Sequence, residues 1–394
     1  MNSFELNFNT KIAFGKGVDD KVGETLSRDN VKNALVCYDV VAEKKGLLDK
    51  IVKQLQENSI NVTLFSDIRS NPELKLVYKA IDICHKNSID CLVAIGGGSV
   101  LDSCKAIAVG AANPDIDIWD CYLGKIPSPP TAIKIAAIPT TAATGSETNP
   151  SSVLSNDATA QKRSLFSDAS RPAYAFMNPE QLYTLPLMQR NCTVVDIFVH
   201  THERYCASRG ENKVSDTCSE GNMKTLLEVG PTFIKETDNY DAASEIMWAG
   251  TNAYLSGGLG GKFDWSTHNL GHEISGHYHD KIHATTITTM WGYWAKYVCD
   301  ANVERFAQFA RNVFGVSNCN DKEAATEGIE RTINFFKEYN MPTSITELMG
   351  RKFTSDEINE LVDSCTYNGE RKTIGALKPL DKNDILAIYN MANV

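Results

Sequence analysis

The chain has 394 residues, 42% hydrophobic and 22% charged, which is enough for two or three domains with a large core. Its formal net charge of −10 argues against nucleic acid or an anionic membrane as the main partner. The opening MNSFELNFNT lacks the basic and apolar regions of a signal peptide, and no window approaches the roughly 18 consecutive apolar residues of a membrane span. We therefore expect no nucleic-acid partner and no membrane partner.

The first half alternates two patterns. Short apolar runs at 33–38, 91–95 and 133–138 end in turn residues, as buried parallel strands do. Between them, 46–58 and 74–87 place apolar residues on one helical face. This alternation predicts a doubly wound α/β fold with a parallel sheet.

After Pro186, helical patterns dominate, and strand-like runs nearly vanish. The predicted helices are 194–207, 222–227, 241–254, 287–302, 303–313, 322–339 and 355–364. We therefore predict an α/β domain over residues 1–185 and an all-helical domain over 186–394.

The eleven cysteines are odd in number, scattered and free of CxxC pairs. That usage predicts free thiols in a reducing, cytoplasmic compartment and excludes a disulfide scaffold.

A glycine-rich turn, Gly96-Gly97-Gly98-Ser99, directly follows the apolar run 91–95 and precedes a helix that is predicted to start near Leu101. Such a turn can bring backbone N–H groups and a helix N-terminus close to a phosphate, although a tight turn without a ligand is the alternative. Asp102 could bind a ribose or the loop itself, and an ordinary acid in the first turn of the helix is the alternative. The GxGxxG fingerprint is absent, so a dinucleotide would be held differently from a standard Rossmann enzyme.

Two further segments could bind a cofactor. Residues 139–149, PTTAATGSETN, follow a buried strand and offer many small hydroxyl groups, as a surface loop also can. Asp39 ends the first apolar run, where a carboxylate can accept hydrogen bonds from the adenosine ribose and repel a 2′-phosphate. A solvated turn aspartate is the alternative.

Seven of the eight histidines lie in two windows, 200–202 and 268–283. Asp196 and His200 are four residues apart, and so are His268 and His272, which puts each pair on one helical face. His283 completes a set of one carboxylate and imidazoles that suits Fe(II), Zn(II), Co(II) or Mn(II). Ordinary buried histidines are the alternative, and Glu203 is expected to support a ligand rather than to be one.

The segments GGGSVLD, PTTAATGSE, VVDIFVHTHERY and DWSTHNLGHEIS together resemble the iron-containing (group III) alcohol dehydrogenases, in their butanol-dehydrogenase-like branch. The resemblance runs from Ile12 nearly to the C-terminus. It implies an N-terminal dinucleotide-binding domain, a C-terminal helical metal-binding domain, and at least a homodimer. It also implies a hydride transfer between NAD(H) and a small primary alcohol or aldehyde, such as a simple alkanal, a lactaldehyde or a sulfoacetaldehyde.

The resemblance also assigns residues. The family's metal pattern falls on Asp196, His200, His268 and His283, with iron as the expected metal and zinc or manganese as alternatives. His272 matches its further active-site histidine, which we expect to relay a proton. The cofactor pattern falls on Asp39, Asn71, Gly97, Gly98, Ser99, Asp102, Thr140, Thr141, Thr144 and Lys162.

Two departures from the family matter here. The gap between His268 and His283 is one residue longer than usual, so His279 competes for the fourth ligand position. NADP-using relatives carry a glycine-serine loop where this chain has Tyr38-Asp39-Val40-Val41, which favours NAD over NADP.

Other functions remain open at this stage. Glycerol-dehydrogenase-like and dehydroquinate-synthase-like enzymes share the same two-domain plan. A non-catalytic metal- or nucleotide-binding protein is the third alternative.

Overall fold

The computed structural model describes residues 2–44, 46–66, 68, 72–159, 161–208 and 210–394. This part of the chain divides into two compact units. The α/β unit comprises Leu6–Leu185 and Thr237–Thr251. The helical unit comprises Pro186–Glu236, Asn252–Val394 and the N-terminal residues up to Glu5.

The α/β unit alternates strands with helices. Its strands are β1 (Lys11–Phe14), β2 (Asn33–Tyr38), β3 (Asn61–Phe65), β4 (Cys91–Gly96), β5 (Lys134–Pro139), β6 (Ser151–Asn156), β7 (Gln161–Phe166) and β8 (Tyr174–Met177). Its helices are α1 (Val22–Arg28), α2 (Val40–Lys44), α3 (Leu47–Glu57), α4 (Leu74–Lys86), α5 (Gly98–Ala112) and α6 (Ile118–Tyr122).

Six of these strands form one parallel sheet in the order β1-β8-β5-β4-β2-β3. Alternate residues of each central strand face opposite sides, and both sides are buried. Ala34 and Val36 pack in a cluster with residues of α1 and α3, whereas Leu35 and Cys37 pack in a cluster with residues of α4 and α5. Because both faces are covered, the central strands β2, β4 and β5 are largely apolar, whereas the edge strands β1 and β3 are partly exposed. The predicted doubly wound fold is confirmed.

The strand order reverses between β2 and β4. From β2 the chain continues to β3 on one side, and from β4 it continues to β5 on the other. In open α/β sheets, this reversal leaves a crevice at the carboxyl ends of the two strands, where ligands bind. Asp39 follows β2 and Gly97 follows β4, so both predicted cofactor residues lie at this position.

The hairpin of β6 and β7 is not predicted by the apolar-run pattern. Its strands pair antiparallel from Ser151 opposite Phe166 to Asn156 opposite Gln161. Their sequences, SSVLSN and QKRSLF, are largely polar and resemble loop sequence. The hairpin is defined by hydrogen bonding between the two strands, and the composition of the strands does not reveal that pairing.

The helical unit is built from α7 (Leu187–Cys206), α8 (Lys213–Lys235), the end of α9 (Tyr240–Leu255), α10 (Ser266–His277), α11 (His283–Val298), α12 (Val303–Phe314), α13 (Asp321–Glu338), α14 (Ile345–Met349), α15 (Ser355–Cys365) and α16 (Lys382–Ala392). Helix α8 is far longer than the predicted 222–227, and α16 lies outside the predicted set. Among the described helices, none is both long and apolar enough to cross a membrane.

Candidate metal centre and cofactor turns

Helix α7 carries two of the predicted metal ligands in a stretch that is buried from Arg190 to Cys206. Asp196 and His200 lie one turn apart, and each is 4% exposed. The Nδ1 atom of His200 lies 3.9 Å from Oδ2 of Asp196. An ionised carboxylate buried at this depth requires a cation or hydrogen-bond donors nearby.

Helices α10 and α11 bring two further predicted ligands to this carboxylate. Oδ1 of Asp196 lies 3.8 Å from Nε2 of His268 and 3.8 Å from Nε2 of His283. One ligand atom from each of these three residues lies within 4.8 Å of the others. The His200 ring stacks on the His268 ring with centroids 4.5 Å apart. Atoms 3.8 Å apart are too distant to form a hydrogen bond. Two ligand atoms that each lie about 2.1 Å from a shared tetrahedral metal ion are about 3.4 Å from each other. The observed spacing is therefore closer to that of metal ligands than to that of a hydrogen bond.

Glu203, which is fully buried, orients one of these imidazoles. Its Oε2 pairs with Nδ1 of His268, while its Oε1 accepts hydrogen bonds from the backbone N–H groups of Thr267 (2.7 Å) and His268 (3.3 Å). This bonding at Nδ1 leaves Nε2 of His268 directed at Asp196. Metal-binding histidines are typically fixed in this way by a carboxylate on the second nitrogen. The supporting role expected for Glu203 therefore matches its contacts.

The electrostatics of Asp196 fit a cation. Burial raises the pKa of Asp196 to about 7; the charge of His268 lowers it, and that of Glu203 raises it. Within the described part of the chain, Oδ1 of Asp196 accepts no hydrogen bond. A buried carboxylate oxygen of this kind, surrounded by imidazole nitrogens, is a donor set for a borderline divalent metal. The residues therefore fit the metal that the sequence predicts.

The remaining histidines of the two windows differ in position. The His272 ring lies 5.0 Å from that of His283 and is half-buried. His279, the competitor for the fourth position, is exposed, and the structure brings His283 to Asp196 instead. His277 places its Nδ1 against the carbonyl oxygen of Glu273. His202 is a core histidine that packs 4.7 Å from the Phe309 ring, and burial lowers its pKa to about 3.

In the α/β unit, the glycine turn is shaped by close packing. Helix α5 starts at Gly98, three residues before the predicted start, and Gly97 precedes it in an extended conformation. A Cβ atom on Gly97 would lie 3.0 Å from Oγ1 of Thr141, and one on Gly98 would lie 2.7 Å from Cγ2 of Thr144. A larger residue at either position would push these threonines away, so the close approach of the two segments favours glycine here.

The other predicted cofactor residues have contacts of their own. Oδ1 of Asp39 accepts hydrogen bonds from the backbone N–H groups of Val41 (3.0 Å) and Ala42 (2.9 Å), so Asp39 caps α2. The carboxylate of Asp102 accepts hydrogen bonds from Oγ of Ser146 (2.8 Å) in the loop and from the N–H of Val153 (3.0 Å) on β6.

The remaining members of the predicted cofactor set have the following positions. Thr140 is buried, Ser99 lies half-buried in the first turn of α5, and Lys162 lies half-buried on β7. Asn71 falls outside the described residues.

Lys105 is a residue of this region that sequence reasoning misses. It is 1% exposed on α5, and its Nζ donates to Ser146 (Oγ, 2.7 Å), Asn149 (Oδ1, 3.1 Å) and the carbonyl oxygen of Ser151 (2.7 Å). The signal for it is a lysine inside the otherwise apolar stretch CKAIAV, three residues after Asp102 on the same helix.

Comparison with known proteins decides the family. The family model described as iron-containing alcohol dehydrogenase matches residues 9–179. A second, described as the C-terminal part of the Fe-containing alcohol dehydrogenase family, matches residues 191–393. The chain belongs to the iron-containing alcohol dehydrogenase family. The resemblance found in the sequence motifs is thereby confirmed.

Several members of this family are similar along nearly their whole length. NADH-dependent butanol dehydrogenase A of Clostridium acetobutylicum is 33% identical over 99% of both chains. The NADPH-dependent aldehyde reductase YqhD of Escherichia coli is 35% identical over 88% of this chain and 89% of its own. The crystal structure of an NADH-dependent butanol dehydrogenase A from Thermotoga maritima superimposes with a TM-score of 0.94 at 29% identity, covering 100% of this chain and 99% of that one.

Family membership confirms the predicted class of activity. The chain is an NAD(P)-dependent oxidoreductase of the alcohol dehydrogenase and aldehyde reductase type, and it uses a metal. The non-catalytic alternative is therefore set aside.

Proposed function

We propose that this enzyme interconverts small aldehydes and primary alcohols with NADH at one Fe(II) ion per chain, with Zn(II) or Mn(II) as alternative metals. The observation that carries the proposal is the convergence of Asp196, His268 and His283, with His200 stacked beside them, in a chain similar to NADH-dependent butanol dehydrogenases. Simple alkanals are the first substrates to test, followed by lactaldehyde and sulfoacetaldehyde.

The mechanism assigns a task to each residue. Asp196, His200, His268 and His283 would hold the metal, which when bound supplies Lewis acidity to the substrate oxygen. Glu203 keeps Nε2 of His268 directed at the site. His272, half-buried beside His283, can hold and release the proton that the alcohol oxygen exchanges with solvent.

For the cofactor, we propose that the α/β unit, predicted as residues 1–185, acts as the dinucleotide-binding domain, and that the helical unit, predicted as 186–394, acts as the metal-binding domain. The structure adds Thr237–Thr251 to the first unit and the residues up to Glu5 to the second. Gly97, Gly98, Ser99, Thr140, Thr141 and Thr144 would form the turns that receive the dinucleotide, with Asn71, Asp102 and Lys162 nearby. NADH is preferred over NADPH because Asp39, at the reversal of strand order, presents a carboxylate where a 2′-phosphate would lie.

We further propose a cytoplasmic homodimer or higher homo-oligomer. All eleven cysteines are free, which agrees with a reducing compartment. The oligomer follows from the family resemblance alone, and sedimentation of the purified protein tests it.

The test of the function is a panel of aldehydes assayed with NADH and with NADPH, alongside metal analysis of the purified protein. We expect NADH oxidation with short aldehydes and about one equivalent of divalent metal per chain, which is iron where iron is supplied during expression. Full activity in a preparation free of metal would contradict the proposal.

A further inference from the structure

A lysine is buried in the α/β unit, and its ammonium group donates its hydrogen bonds to uncharged groups rather than to a carboxylate. Lys105 is 1% exposed and lies between Cys104 and Ala106 in the most apolar part of α5. Its ammonium group has three hydrogens, and all three find acceptors, in Ser146, Asn149 and Ser151. Asp102 influences its charge, but the oxygens of that carboxylate bind Ser146 and Val153 instead.

The acceptors of Lys105 all belong to one segment, 146–151, which connects the loop of Thr141 and Thr144 to β6. Asn149 continues the network: its Nδ2 donates to the carbonyl oxygen of Thr144 (2.9 Å), and its Oδ1 also accepts from the N–H of Ser151 (2.9 Å). The side chain of Asn149 therefore links the ammonium group of Lys105 to the backbone of Thr144. Thr144 in turn lies against Gly98, at the start of α5.

Such a lysine is a poor choice for stability alone. An ammonium group loses its hydration on burial, and a methionine of similar length would fill the same space without that cost. A methionine cannot donate hydrogen bonds, however, and residues 146–151 (SETNPS) have few apolar side chains that could hold them in place by packing. Burial lowers the pKa of Lys105, while the charges of Asp102 and Glu147 raise it.

We infer that Lys105 is a positioning residue for the cofactor: its ammonium group fixes residues 144–151 so that Thr141 and Thr144 stay in place against Gly97 and Gly98. This inference rests on the proposed function, in that the glycine and threonine turns receive the dinucleotide. Because Lys105 is buried and its three N–H groups all bind the protein, we assign it no direct contact with the cofactor or the substrate. Its removal therefore weakens the binding of NADH more than it slows hydride transfer.

The test compares Lys105→Met and Lys105→Arg with wild type and with a matched control, Lys50→Met. Lys50 is paired with the buried Asp19 in the same unit, on the other face of the sheet. The Kd for NADH is measured by the fluorescence of the bound nicotinamide, together with KM, kcat and the melting temperature. We expect Lys105→Met to raise Kd and KM for NADH about tenfold, with kcat changed less than about threefold.

Two further results complete the test. Lys105→Arg, which keeps the charge and several donors, should recover part of the affinity, and Lys50→Met should leave Kd within about twofold whatever its melting temperature. If Lys105→Met does not fold, Ser146→Ala removes one acceptor and should raise Kd about threefold. A folded Lys105→Met or Ser146→Ala protein with wild-type Kd overturns the inference. A wild-type protein that neither binds NADH nor reduces aldehydes overturns the proposed function instead.

Discussion

The metal centre and the glycine turn are built in opposite ways. At the metal centre, charged side chains project from long buried helices, and chemistry requires the functional atoms of Asp196, His268 and His283 themselves. At the glycine turn, the glycines have no side chains of their own. Thr141 and Thr144 lie against their backbone, and the buried Lys105 binds the segment that follows these threonines. A substitution should therefore abolish the first site outright but deform the second by degrees.

The sharpest test of this contrast is His200→Ala. Removing an imidazole from the donor set should abolish metal binding and reduce kcat/KM by more than about a hundredfold. The fold should remain, because α7 is held by its whole buried length. Metal content by mass spectrometry, activity and circular dichroism check this; His277→Ala, whose ring faces the carbonyl of Glu273, is the matched control.

The fourth position is decided by His279→Ala and His283→Ala measured side by side. We expect metal loss only in the second, because His283 lies beside Asp196 whereas His279 is exposed. Loss of metal only in the first would show that the longer gap between His268 and His283 shifts the register of the ligands.

A pH titration probes the buried lysine of the other region. Burial lowers the pKa of Lys105 from 10.5 to about 8; the charges of Asp102, Glu147 and Cys104 raise it, and that of Arg171 lowers it. Between pH 8 and 10.5 the unfolded chain binds more protons than the folded one, so the contribution of Lys105 to stability rises with pH. The full rise is about 3 kcal/mol, and below pH 8 it is absent.

Denaturant unfolding of wild type and Lys105→Met at pH 7.5 and pH 10 measures this rise. The difference between the two proteins cancels the titration of every group they share. We expect the wild type to gain on the variant at the higher pH. A difference that stays constant would place Lys105 in a solvated environment.

Glu203→Gln tests whether the orientation of a ligand matters as much as its presence. The amide keeps an acceptor for the N–H groups of Thr267 and His268 but loses the charge that faces Nδ1 of His268. We expect metal affinity to fall about 10- to 100-fold, measured by competition with a chelator. Unchanged affinity would mean that Glu203 serves only the folding of α10.

The last expected effect is in cofactor choice, and its lower bound is the smallest of the set. A carboxylate within about 4 Å of a 2′-phosphate is repelled by about 1–4 kcal/mol, which corresponds to a factor of about five to several hundred in affinity. Asp39→Asn should keep the cap of α2 and remove the charge, so KM for NADPH should fall. Asp39→Gly should in addition lose the ribose hydrogen bonds and raise KM for NADH. Equal KM values for NADH and NADPH, in wild type and in Asp39→Asn, would show that the carboxylate of Asp39 does not select between the two cofactors.

The two regions also differ in how far sequence could predict them. The helix spacing of Asp196 with His200 is local, so the candidate ligands could be read directly, as could the apolar strands of the sheet. The position of β1 beside β8 depends on a partner distant in sequence. The hairpin of β6 and β7 is local, but its strands are too polar for the apolar-run pattern to find them. The sequence allowed Asp102 to bind a loop, but Val153 is 51 residues away in sequence, so this particular partner could not be predicted.

The contact between Glu203 and His268 has a consequence for how the enzyme acquires its metal. Because α7 carries both a ligand and the group that orients a ligand on α10, the donor atoms are preorganised by protein contacts before any ion arrives. Zinc fingers, by contrast, fold only on binding. A rigid site of this kind discriminates poorly among ions of similar size, and zinc binds such donors more tightly than ferrous iron does. We therefore expect the supply of metals during expression, rather than the chain, to set which ion is recovered, and chelation followed by iron to restore activity without refolding.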